Sequence, residues 1–147
     1  MYSPTRRSDR QAEPQESRLP PQPTGPRILV VEDTDALRAS AVSTLSAEGY
    51  AVTEARHGLD ALQVLDRASE PFDLVVTDVS MPVMTGYKLG RRLAESRPEL
   101  PVIYMSNAPS EALVRCGLPA GPTSFLRKPF LPADLVREVA AVIPAHG

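Results

Sequence analysis

Five residues could carry chemistry together: the acidic pair Glu32 and Asp33, then Asp78, Ser106 and Lys128. Each stands where an apolar run gives out, in "RILVVED", "FDLVVTD", "LPVIYMS" and "TSFLRK". Three carboxylates held close together repel, and they raise one another's pKa unless a cation is present. A few hard oxygen ligands suit Mg²⁺, which keeps some of its waters and often binds a substrate phosphate as well. A lysine and a hydroxyl on the same rim offer an anion one charged and one neutral donor. Aspartate is an established covalent phosphoryl acceptor. The set therefore reads as a phosphoryl-transfer site. Each residue also has a plainer reading. Asp78 could end a strand in a turn, Glu32 and Asp33 could be first-turn acids of a helix, Ser106 could cap one, and Lys128 could be a solvated charge. The coincidence at successive strand ends favours the chemical reading. His57 and His146 stand off these ends and read as surface residues.

The elements that would position these residues alternate in period. Apolar runs at 27–32, 50–55, 72–78, 100–106 and 123–128 read as strands. Between them lie helical patterns. "DALRASAVSTLSAEG" spaces Leu37, Ala41, Val42 and Leu45 on one face, with Gly49 as its stop. "GLDALQVLDRA" repeats Leu59, Leu62 and Leu65, and "TGYKLGRRLAESR" carries Leu89 and Leu93. "SEALVRCG" is a short helix, and "PADLVREVAAVI" sets Leu135, Val139 and Val142 in register. Strand and helix in alternation predict an α/β fold, a parallel sheet with helices on both faces. In such sheets ligands bind beyond the carboxyl ends of the strands, at the reversal of strand order.

Composition bounds the rest. The 147 residues suit one domain, and the net charge of −2 argues against general nucleic-acid binding. A single cysteine, Cys116, excludes an intrachain disulfide and fits a cytoplasmic home. No run is long enough for a membrane span, and the start lacks the apolar stretch of a secretory signal. Residues 1–26 contain six prolines and hardly an aliphatic residue, so they read as a disordered Pro-rich tail. The folded unit is expected over 27–147.

From Arg27 to Ile143 the chain resembles the receiver domains of two-component response regulators. The residues that carry the likeness are "ED" at 32–33, "TDVSMPVMTG" with Asp78, Pro82 and Gly86, "YMSNA" with Ser106, and "SFLRKPF" with Phe125, Lys128, Pro129 and Phe130. The wording is most similar to receivers attached to hybrid histidine kinases. The resemblance implies a flavodoxin-like, doubly wound five-stranded parallel sheet in the order 2-1-3-4-5. It implies Asp78 as phosphoacceptor and Mg²⁺ held by Glu32, Asp33, Asp78 and the main-chain carbonyl of Ser80. Ser106 would bond the phosphoryl group, Lys128 would pair with Asp78 and then with the phosphoryl oxygens, and Phe125 would be an aromatic switch that follows Ser106 inward. The Lys128–Pro129 peptide would be cis. The implied donor is a histidine kinase or histidine phosphotransfer protein, and the implied output is binding of a downstream protein. Such a protein is a phosphoacceptor that promotes its own phosphorylation and dephosphorylation, and no separate enzyme. It works as a monomer or as a phosphorylation-dependent dimer. Nothing after Ile143 reads as an output domain, so a lone receiver, a phosphate shuttle or sink, and a piece of a hybrid kinase all stay open.

Three departures accompany the likeness. The stretch "NAPSEALVRCGLPAGPTS" is interrupted by proline and glycine, which predicts a remodelled or mobile output face. Leu131 stands before Pro132 where a hydroxyl residue would cap better. Phe125 has no hydroxyl and can signal through packing alone. Rival readings fit less well. A haloacid-dehalogenase-type phosphatase needs a second Asp two residues after the first, where this chain has Ser80. A flavodoxin-type FMN carrier needs a phosphate loop after the first strand, where this chain has "EDTDA". A degenerate receiver would lack acidic-site residues that are all present.

Overall fold

The computed structural model describes residues 25–81, 83–107 and 123–143. Residues 1–24 of the expected tail, Pro82, the helix expected at 110–117 with Cys116, and His146 lie outside these. The described strands are β1 (Arg27–Val31), β2 (Ala51–Ala55), β3 (Leu74–Asp78), β4 (Val102–Ser106) and β5 (Thr123–Arg127). The described helices are α1 (Asp35–Ala47), α2 (Gly58–Arg67), α3 (Gly86–Ser96) and α4 (Pro132–Val142). All strand pairs are parallel, in the order β2-β1-β3-β4-β5. This is the predicted flavodoxin-like sheet.

The strand sequences are apolar without alternation because both faces are covered. Leu29, Val31, Val75, Val102 and Tyr104 face one core, with Ala61 and Leu65 of α2 and Leu89 and Leu93 of α3. Ile28, Val30, Leu74, Val76, Ile103 and Met105 face the other, with Ala41 and Leu45 of α1 and Leu135 and Val139 of α4. Period-two alternation thus divides the strand residues between two cores.

Helix ends follow local chemistry. The α1 C-terminus closes with Gly49 at φ 97, with the Gly49 N–H donating to Ser46 O and the Tyr50 N–H to Leu45 O. That left-handed position suits glycine. Tyr50 then donates its hydroxyl to Ile143 O at 3.0 Å and ties α1 to the end of α4. His57, read as a surface residue, is half-buried and caps α2, its Nδ1 accepting from the Asp60 N–H at 3.2 Å. Leu131 has no side-chain acceptor to offer α4, and Asp134 compensates by accepting from the Leu131 N–H at 2.9 Å. Two expected core leucines are exposed: Leu37 by 49% and Leu59 by 44%. Both sit in first turns that project past the sheet. The buried stripe of α2 is Gly58, Ala61 and Leu65 instead.

The bond to Leu131 and the Arg137 guanidinium hold the Asp134 carboxyl below its ordinary value. A carboxylate depressed in the folded state adds stability above its unfolded pKa and loses it as pH falls through the folded one. Asp134→Ala is therefore expected to melt below wild type at neutral pH. The gap between the two melting curves should close as pH drops below about 4.

The start of α3 lies on the backbone that carries Asp78. Gly86 donates its N–H to Val79 O at 2.9 Å. A Cβ on Gly86 would stand 2.4 Å from the Asp78 carbonyl oxygen, which cannot give way as a flexible side chain could. Gly86→Ala is expected to destabilise the protein by about 1–3 kcal/mol by this clash, although alanine is the better helix former by about 1 kcal/mol. Urea denaturation measures the net sign.

Candidate functional site

The strand order reverses between β1 and β3, so their carboxyl ends border the crevice. The register pairs Val31 with Thr77, which sets Glu32 beside Asp78. Both are buried, Glu32 at 2% exposure and Asp78 at 6%. From the far side of the sheet, Lys128 continues the β5 ladder by one bond, its N–H donating to Ser106 O at 2.8 Å. Its side chain reaches across the strand ends. Nζ donates to Asp78 Oδ1 at 3.1 Å and to Glu32 Oε1 at 3.2 Å. Asp33 is exposed beside them, and one carboxylate oxygen from each of Glu32, Asp33 and Asp78 lies within 4.8 Å of the others. The Lys128–Pro129 peptide is cis.

Charge and burial compete here. Burial pushes the Glu32 carboxyl above its ordinary value and the Asp78 charge adds to that, against the Thr34 N–H bond and the Lys128 ammonium. Burial works to lower the Lys128 ammonium, but the Asp78 and Glu32 carboxylates outweigh it and leave it raised. A cation drawn out of water needs pairing, and this half-buried one has two partners.

Several residues that position the site carry little sequence signal. Arg38 holds the loop bearing the acidic pair: Nη1 donates to Glu32 O at 2.9 Å, Nη2 to Asp35 Oδ1 at 2.6 Å and Nε to Glu54 Oε1 at 2.9 Å. Its spacing from Asp35, i to i+3 on a helix, was the available clue. Thr77, fully buried, donates its hydroxyl to Asp78 O at 2.9 Å. After Asp78 the chain is anchored by buried Met81 and Met84, with Ser80 exposed before them and Val83 exposed between them. Met84 packs where a Cβ on Gly58 would stand, 2.8 Å away, so α2 abuts this loop. Leu37, Leu59, Val83 and Leu131, the exposed large hydrophobic residues among those described, all lie at this end of the sheet.

Ser106 ends β4 and is buried. Phe125 is half-buried on β5 and lies over Tyr104, ring centroids 5.9 Å apart and planes at 27°. Tyr104 in turn meets Tyr87 of α3 at 6.4 Å. Sequence reading took Tyr104 as one more strand residue. It is fully buried, and its hydroxyl finds no hydrogen-bond partner among the described residues. Burial pushes its phenol up to about 12.

The model of the response regulator receiver domain family matches residues 28–140. The chain is similar to the sensor kinase CckA of Brucella abortus (strain 2308), 38% identical over 117 residues, which are 79% of this chain and 12% of that protein. It is also similar to the response regulator MprA of Mycolicibacterium vanbaalenii, 37% identical over 117 residues, 80% of this chain and 50% of that one. It thus spans half or less of these curated relatives. Among solved structures, the chemotaxis response regulator CheY4 of Vibrio cholerae superposes with a TM-score of 0.74 at 30% identity, over 82% of this chain and 100% of that chain. A response regulator receiver protein of Sinorhizobium medicae gives 0.72 at 28% identity, over 84% and 98%. With the acidic crevice, the bridging lysine and the strand order already established, these matches agree on one conclusion: the chain belongs to the response regulator receiver domain family of two-component signalling.

Proposed function

We propose that the chain accepts a phosphoryl group on Asp78 from a phosphohistidine of a histidine kinase or histidine phosphotransfer protein, in a Mg²⁺-dependent reaction, and that the phosphorylated form changes its protein binding. One observation carries the reading. A buried aspartate at the end of β3 shares a single lysine with a second buried carboxylate, Glu32, at the crevice where strand order reverses. An isolated structural ion pair would need no third carboxylate. The convergence of Asp33 makes the set an oxygen-rich cation site.

The donors fit Mg²⁺: Glu32, Asp33 and Asp78 supply hard oxygens, and the Ser80 main-chain carbonyl follows in the same loop. When bound, Mg²⁺ offsets the charge of the carboxylates and of the phosphoryl group in transfer. The protein's own residues do the rest. An Asp78 carboxylate oxygen forms a bond to phosphorus as the phosphorus–nitrogen bond of the phosphohistidine breaks. The imidazole leaves with that electron pair and takes up a proton. Lys128 exchanges its bond to Asp78 for one to the phosphoryl oxygens. The Ser106 hydroxyl donates to the same group, and Phe125 answers the movement of Ser106. Receiver domains are phosphoacceptors, so the product is a modified protein, not a released small molecule. The likeness to a sensor kinase over 12% of its length favours a second setting, in which the same residues serve a receiver within a longer signalling protein.

Acetyl phosphate with Mg²⁺ is expected to label the wild-type protein on Asp78, as read by intact mass. Asp78→Asn, or chelator, should abolish the label. Full labelling in either case refutes the assignment. Lys128→Ala should keep the fold and lose phosphorylation-dependent partner binding, because its loss leaves the phosphoryl charge unpaired. A wild-type affinity in the phosphorylated variant would contradict that role.

A further inference from the structure

Tyr104 is the least explained residue near the site. Its ring is fully buried, yet its hydroxyl has no hydrogen-bond partner among the described residues. The hydroxyl occupies a niche on α3 that exists only because residue 90 is glycine: a Cβ there would stand 1.7 Å from it. A glycine inside a helix costs conformational entropy, and a buried hydroxyl without a partner costs its lost hydration. Phenylalanine would fill the same space without the second cost.

The placement of the ring gives the hydroxyl a use. Tyr104 pairs in register with Phe125 on β5 and stands two residues before Ser106, on the same face of β4. A movement of β4 that drew Ser106 toward a phosphoryl group would carry Tyr104 with it. Phe125 lies over one side of the Tyr104 ring, and Tyr87 of α3 adjoins it. An inward turn of Phe125 would press on this ring, and a displaced ring would lift its hydroxyl out of the Gly90 niche.

We propose that Tyr104 is a positioning residue of the phosphorylation switch, coupling Phe125 on β5 to Tyr87 on α3, and that its unpartnered hydroxyl weakens the resting arrangement so that the rings can move. This rests on the reading of Asp78 as phosphoacceptor. The response then extends to the α3 face as well as to β5.

The test is Tyr104→Phe in the full chain, followed by melting and by NMR of labelled Phe and Tyr rings with and without beryllofluoride and Mg²⁺. The melting midpoint should rise by about 2–6 °C, from relief of one unsatisfied buried hydroxyl. As a control, Tyr50→Phe loses its bond to Ile143 O and should melt lower. Beryllofluoride should still bind the Tyr104→Phe protein, seen as a shift of the Asp78 amide, while the Phe125 and Tyr87 ring shifts fall well below those of wild type. An unchanged or lower midpoint, or undiminished ring shifts, overturns the proposal while the phosphoacceptor reading stands. No Asp78 shift in the wild-type protein overturns that reading, and this proposal with it.

Discussion

The ammonium of Lys128, shared between Asp78 and Glu32, is the contact on which the site depends. It joins residues 50 and 96 positions apart in the chain. Two buried carboxylates so close together repel one another. The lysine offsets that repulsion and holds them near, and they in turn pair its half-buried ammonium. The sheet makes this arrangement obligatory. Reversal of strand order between β1 and β3 puts Glu32 beside Asp78, and the last bond of the β4–β5 ladder aims Lys128 at both.

Around this contact several supports hold the acids in place. Arg38 ties the β1–α1 loop to β2, Thr77 holds the Asp78 carbonyl, and Gly86 lets α3 close on the same backbone. On the acidic residues of the crevice these supports act through main-chain atoms, the Glu32 and Asp78 carbonyls and the Asp78 backbone beside Gly86. The aromatic column of Tyr87, Tyr104 and Phe125 is of another kind. It is packed, but it includes a polar atom that the packing does not satisfy.

Much of this was legible in the sequence. Strands buried on both faces give unbroken apolar runs, so their ends, and with them Glu32, Asp78, Ser106 and Lys128, stand out. Helix faces were less legible at first turns. Leu37 and Leu59 match the helical period but project past the sheet, because periodicity does not say where the opposing layer stops. The His57 cap was missed because histidine is an uncommon acceptor there. Arg38 and Tyr104 were missed for a shared reason. Their roles arise from contacts with backbone or with a missing side chain: a carbonyl for Arg38, the bare Cα of Gly90 for Tyr104. Such partners are silent in a pattern of side chains.

The alternation of strand and helix has an electrostatic consequence. Each of α1, α2, α3 and α4 begins after a strand has ended, so all four point their amino termini toward the crevice end of the sheet. Aligned peptide dipoles give each such terminus about half a positive charge. The acidic crevice is thus set at the positive pole of the backbone, and the opposite end of the molecule carries the negative pole. An anion approaching the crevice end meets a field built from main-chain atoms, which no side-chain substitution removes. On the proposed reading, the added charge of a phosphoryl group would be shared between Lys128 and the fold itself.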